Sequence, residues 1–133
     1  MATVTLNKDN FESTISDNDT VIVDFWASWC GPCTQFAPVF EDASEQHDDI
    51  VFGKVNTEEQ QELAQSFNVS SIPTLMVFRE NVLLYSQPGA LPSEMFTDLI
   101  GQVKGLDMEQ VHKQIAERAE DGHEHTESEH SHN

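Results

Sequence analysis

The stretch Val21-Ile22-Val23-Asp24-Phe25-Trp26-Ala27-Ser28-Trp29-Cys30-Gly31-Pro32-Cys33 decides the reading of this chain. Five of its first six residues are β-branched or aromatic, at odd and even positions alike, the pattern of a strand buried on both faces. Asp24 is the anomaly within it, because a carboxylate in such a strand is costly to ionise. The chain has only two cysteines, Cys30 and Cys33. Their two-residue spacer closes too small a loop to restrain an unfolded chain much, which favours a switchable redox pair over a stabilising bridge. Four-Cys zinc sites are excluded by count. A mixed site would need nearby histidines, and none lies within ten residues of either cysteine.

Working outward, Thr3 to Leu6 reads as an edge strand, and Asn7 or Asp9 can cap a short helix containing Phe11 and Ile15. After the cysteines, Phe36, Val39, Phe40 and Ala43 recur at helical spacing to about Gln46, with Pro38 predicting a kink. Ile50 to Val55 is a second buried strand, and Glu58 to Phe67 a helix. Thr74 to Phe78 and Val82 to Ser86 flank Arg79-Glu80-Asn81 and form an antiparallel hairpin, with Asn81 suited to a positive φ. Pro92 opens a helix lined by Met95, Phe96, Leu99, Ile100 and Val103. Alternating strands and helices of this kind predict an α/β fold, a mixed sheet of four to five strands with helices on both faces.

Composition shifts near residue 105. Of 24 acids and 6 bases, residues 107–133 hold 8 and 2, together with five of the six histidines. The domain is therefore expected at 1–105. Gly105 would break the last helix, and Asp107 with Gln110 would start an appended amphipathic helix over 106–120. Residues 121–133 contain no large apolar side chain and are expected to be disordered. His123, His125, His130 and His132 in that tail are the imidazoles that Zn²⁺ or Ni²⁺ would use, but a solvated acidic tail is the expected reading and no metal site is assigned. A formal net charge of −18 repels phosphates and anionic headgroups, so neither nucleic acid nor a membrane surface is an expected partner. No signal-like N-terminus or long apolar run is present, and a cytoplasmic monomer is expected.

Residues 23 to 33, together with Ala37-Pro38, Lys54, Ser71-Ile72-Pro73-Thr74-Leu75 and Pro88-Gly89-Ala90-Leu91, resemble the thioredoxin family in content and order. The likeness runs from about Leu6 to Val103. It implies a thioredoxin fold and a protein-disulfide reductase in which Cys30 is the nucleophile and Cys33 the resolving thiol. It also implies a cis bond before Pro73, and a docking surface built from Trp29, Gly31, Pro32, Ile72, Pro73 and Gly89. Asp24 would exchange protons with Cys33, with Lys54 as its partner. By the same resemblance no cofactor is bound. Reducing equivalents come from NADPH through a flavoprotein, thioredoxin reductase, and pass to disulfide-containing client proteins. Two positions depart from the family: Thr34 stands where a base is common, and Asn81 where Gly is usual. The competing reading is a binding or chaperone module of the same fold, whose tail recruits a metal or partner.

Overall fold

The computed structural model describes residues 2–129, with side chains described to residue 119. Two compact units divide the chain, Met1–Val103 and Lys104–Asn133.

The first unit is built on a five-stranded sheet in the order β1-β3-β2-β4-β5. In chain order its elements are β1 (Thr3–Thr5), α1 (Phe11–Asp17), β2 (Thr20–Trp26), α2 (Gly31–Gln46), β3 (Val51–Asn56), α3 (Gln61–Ser66), β4 (Thr74–Arg79), β5 (Val82–Pro88) and α4 (Ser93–Gly105). β1, β3 and β2 run parallel, β4 is antiparallel to β2, and β5 is antiparallel to β4. This is the mixed sheet expected from the alternation of strand and helix patterns.

β2 is central, which explains its doubly apolar sequence. Val21, Val23 and Phe25 point to one face, where Phe11 and Ile15 of α1 pack with Met76 and Phe78. Ile22 points to the other, against Phe36 and Phe40 of α2 and Phe96 and Ile100 of α4. Strand alternation therefore puts Asp24 on the same face as Ile22, the one that α2 and α4 cover. Phenylalanine rings fill both layers: Phe36 and Phe96 meet edge-on with centroids 5.4 Å apart, and Phe11 and Phe67 lie at 5.0 Å. Gly53 of β3 lies under Leu6, and a Cβ there would collide with the Leu6 side chain.

Several local features differ from the sequence expectation. α1 starts at Phe11 after Asn10. Asn7 supports the preceding turn, its Oδ1 accepting from the N–H groups of Asp9 and Asn10 at 2.9 and 3.1 Å, and does not cap the helix itself. α3 is shorter than its apolar spacing suggests, because Asn56 folds residues 56–60 into a turn in which its Oδ1 accepts from Glu58 N–H at 2.9 Å. At the hairpin, Glu80 and Asn81 both adopt positive φ, 51° and 65°. Asn81 fills the place that the turn geometry reserves for a tolerant residue.

The end of the sheet away from the cysteines is tied together by Arg79. Its Nη1 donates to the Val103 carbonyl at 2.7 Å, and its Nε lies 3.4 Å from Asp19 Oδ2. The last helical carbonyls of α4 thus acquire a cationic partner.

In the second unit, α5 spans Met108–Glu129. Asp107 Oδ1 accepts from Gln110 N–H at 3.2 Å, the cap expected from the sequence. Gly105 is still helical, so the break falls one residue later than its propensity suggests. The helical backbone continues past residue 120, through a stretch with no proline. Residues 130–133, including His130 and His132, lie outside the described residues. No helix among the described residues is long and apolar enough to cross a membrane.

Candidate active site

Strand register assembles the site. β2 and β3 are parallel with Trp26 opposite Asn56, so both end at the same edge of the sheet. β4 is antiparallel to β2 and begins there, Thr74 lying opposite Phe25, and β5 returns to the same edge with Pro88 opposite Thr74. The loops that carry Cys30, Ile72-Pro73 and Gly89 are thereby brought to one end of the molecule. Gly89 N–H donates to the Pro73 carbonyl at 2.8 Å and joins two of them. Gly89 has φ 113°, which an L side chain adopts only with strain. The peptide bond between Ile72 and Pro73 is cis.

Cys30 is the N-cap of α2, with extended backbone, and Pro32 occupies the first turn, where its missing N–H is no loss. Cys30 and Cys33 are joined by a disulfide, with Cα atoms 5.2 Å apart. The Cys33 N–H donates to Cys30 Sγ at 3.2 Å, and the Ile72 carbonyl oxygen lies 3.7 Å from the same sulfur. A sulfur in this position faces the unpaired N–H groups and positive end of a 16-residue helix, which stabilise negative charge by roughly 0.3–1 kcal/mol. Both cysteines are buried against Ala27, with Trp26 and Ile72 packed beside them. Trp29, by contrast, is 70% exposed. Gly31 and Pro32 are also on the surface.

Asp24 is 1% exposed, and both its carboxylate oxygens are buried without a hydrogen-bond partner among the described residues. Burial pushes its pKa from 3.8 up to about 7, against the opposing pull of Lys54. Lys54 is its register partner on β3, but the ammonium lies over the Trp26 ring, 4.8 Å from the centroid. The lysine thus acts on Asp24 through space.

One part of the site was not visible in the sequence. Thr57 holds the loop after β2 by two hydrogen bonds to the Trp26 carbonyl, from its N–H at 2.9 Å and its Oγ1 at 3.0 Å. Ser28 Oγ adds a third tie, donating to Glu58 Oε1 at 3.2 Å. These contacts depend on the β2–β3 register, which no local motif encodes. Among the described residues no cluster of His, Cys, Asp and Glu has metal-binding geometry. His123 and His125 fall in the part of α5 whose side chains are not described.

The sequence profile of the Thioredoxin family matches residues 2–102. The chain belongs to the thioredoxin family. It is 58% identical over 117 residues to a protein of Streptomyces coelicolor described as "Putative thioredoxin 2", covering 88% of this chain and 87% of that one. That alignment is longer than the profile match, so it takes in part of the segment after residue 102. A thioredoxin of Alicyclobacillus acidocaldarius is 39% identical over 103 residues, covering 77% of this chain and 98% of the relative. Among solved structures, a single-site mutant of a Halobacterium salinarum thioredoxin superposes with a TM-score of 0.72 at 32% identity, over 79% of this chain and 92% of the other. With its bonded C-x-x-C pair, this member of the family is a thiol–disulfide oxidoreductase of the protein-disulfide reductase type.

Proposed function

We propose that the chain reduces disulfides in client proteins by a two-step exchange in which Cys30 attacks and Cys33 resolves. The observation that carries this assignment is the position of Cys30 at the head of α2, where its sulfur already accepts a hydrogen bond from Cys33 N–H. The Cys30 thiolate displaces one sulfur of the client disulfide, forming a mixed disulfide, and the leaving client thiolate takes up a proton. Cys33, deprotonated by Asp24, then attacks Cys30 Sγ. The Cys30–client bond breaks, the second client sulfur leaves and is protonated, and the protein is left with the Cys30–Cys33 disulfide.

A carboxyl group with a pKa of about 7 suits the proton transfer, since it is neither permanently charged nor permanently neutral near physiological pH. Trp29, Gly31, Pro32, Ile72, Pro73 and Gly89 form the docking surface. The Ile72 carbonyl, beside Cys30 Sγ, offers its backbone to an extended client segment. Two electrons from NADPH, delivered by a flavoprotein thioredoxin reductase, return the pair to the dithiol; no cofactor need be bound to this chain for the sulfur chemistry. The chain works in the cytoplasm, a compartment that keeps such thiols reduced.

The test is acceleration of insulin disulfide reduction by dithiothreitol. The wild-type chain shortens the lag before insulin precipitates. Cys30→Ser matches the rate without protein, and a Cys30→Ser variant as active as wild type would overturn the assignment.

A further inference from the structure

The strand register that gathers the active-site loops also gathers their charges, and nearly all of them are absent. Residues 27–35 and 68–73 contain no Asp, Glu, Lys or Arg, and neither do residues 86–92. The remaining loop at this end, after β3, supplies two, Glu58 and Glu59, both exposed. Lys54, the nearest base along β3, keeps its ammonium over the Trp26 ring. Lys8 borders the turn after β3, but the cleft it shares with Glu58 and Glu59 is also lined by Asp9 and Glu62, so acids outnumber it four to one. Arg79 is on the opposite end of β4 and pairs with Asp19.

Glu58 is also held in place. Its backbone N–H bonds Asn56 Oδ1, and its carboxylate accepts from Ser28 Oγ, two residues before Cys30. A fixed carboxylate at the rim of an otherwise uncharged platform bears on every client that docks on Trp29 and Ile72. The platform loops carry no base to offset it, and the domain's excess of acids adds a background of the same sign.

We infer that Glu58, seconded by Glu59, makes this chain select client disulfides flanked by Lys or Arg and discriminate against those flanked by Asp or Glu. The inference rests on the reductase reading above and names the substrate class of that same surface. The Ser28 hydroxyl contributes by tethering the Glu58 carboxylate to the loop that leads into Cys30. Because the charges are exposed, the selection operates mainly on encounter and is screened by salt.

The test uses three disulfide-bridged peptides alike except for two residues beside the cysteines, which are Lys, Gln or Glu. Second-order rate constants for their reduction by the prereduced full chain are measured at low and high ionic strength. At low salt the order is Lys over Gln over Glu, with a Lys-to-Glu ratio of roughly three- to tenfold, the range exposed ion pairs support. The ratio contracts toward one at high salt. Glu58→Gln lowers it, and the double variant Glu58→Lys with Glu59→Lys inverts it. A purely structural role for Glu58 would slow all three peptides alike and leave the ratio untouched, which overturns the inference. So does a ratio within about 1.5-fold of one at low salt. Failure of the wild-type chain to reduce the Gln peptide would instead overturn the reductase reading itself.

Discussion

Asp24 stands directly opposite Lys54 in the parallel β2–β3 ladder, yet the lysine ammonium rests on the Trp26 ring and the carboxylate has no hydrogen-bond partner among the described residues. The acid is therefore held between two influences: burial, which favours the neutral form, and a nearby cation, which moderates that preference.

Stability should fall as pH rises through the window these influences define. Below about pH 4 the carboxyl is protonated in both folded and unfolded chains, and the folded state keeps its full stability. Between 3.8 and about 7 the unfolded chain ionises while the folded one resists, so stability is lost until the folded group ionises as well. Three pH units correspond to roughly 4 kcal/mol. Urea unfolding of the oxidised protein from pH 4 to pH 8 should show a decline of this order, absent in Asp24→Asn. Lys54→Met should extend the decline to higher pH.

The same carboxyl sets the rate of the second chemical step. Asp24→Asn should slow resolution of the mixed disulfide by about 10²-fold near pH 7.5, the lower end of what a positioned base contributes, with the first attack by Cys30 little changed. Rapid-mixing fluorescence with a peptide disulfide separates the two phases. Equal slowing of both would count against a proton-transfer role.

Cys33→Ser should stop the cycle midway. The Cys30–client bond then has no internal attacker, and intact-protein mass spectrometry should show an adduct of chain plus client that dithiothreitol releases. Cys30→Ser should give no adduct.

Gly53→Ala places a methyl group against Leu6, which is itself buried in the cluster that holds Phe11 and Ile15 of α1. The edge strand has to shift to admit it. A loss of about 1–3 kcal/mol in urea unfolding is expected, with the reductase activity per folded molecule unchanged.

Trp29→Ala should leave stability within about 0.5 kcal/mol, because the exposed indole has little to lose on unfolding. Its effect belongs to client docking: KM should rise several-fold, with a smaller change in kcat.

Much of the fold was legible because β2 and the C-x-x-C pair state their environment directly. A run such as Val21 to Trp26 is tolerable only between two helical layers, and a cysteine following it falls at a helix start. Asp24 was legible for the converse reason, as a charge where none belongs. Ser28 and Glu58 were not. Each is an ordinary polar surface residue until the register of β2 on β3 brings them within hydrogen-bond reach, and register is set by side-chain packing across the whole sheet. The short span of α3 was hidden similarly: Leu63, Ala64 and Phe67 mark a helix, but nothing local shows that the residues before Gln61 are drawn into a turn that Asn56 organises.

Arg79 fixes Val103 beside the start of β2, whereas the cysteines follow its end. A seven-residue strand separates the two, about 20 Å at the usual rise. The end of the first unit at Val103 is therefore anchored at the pole opposite the sulfurs. A support coupled through the Glu80-Asn81 turn, at that same pole, should leave the redox pole facing solution, whereas attachment through the loop that bears Trp29 would block it.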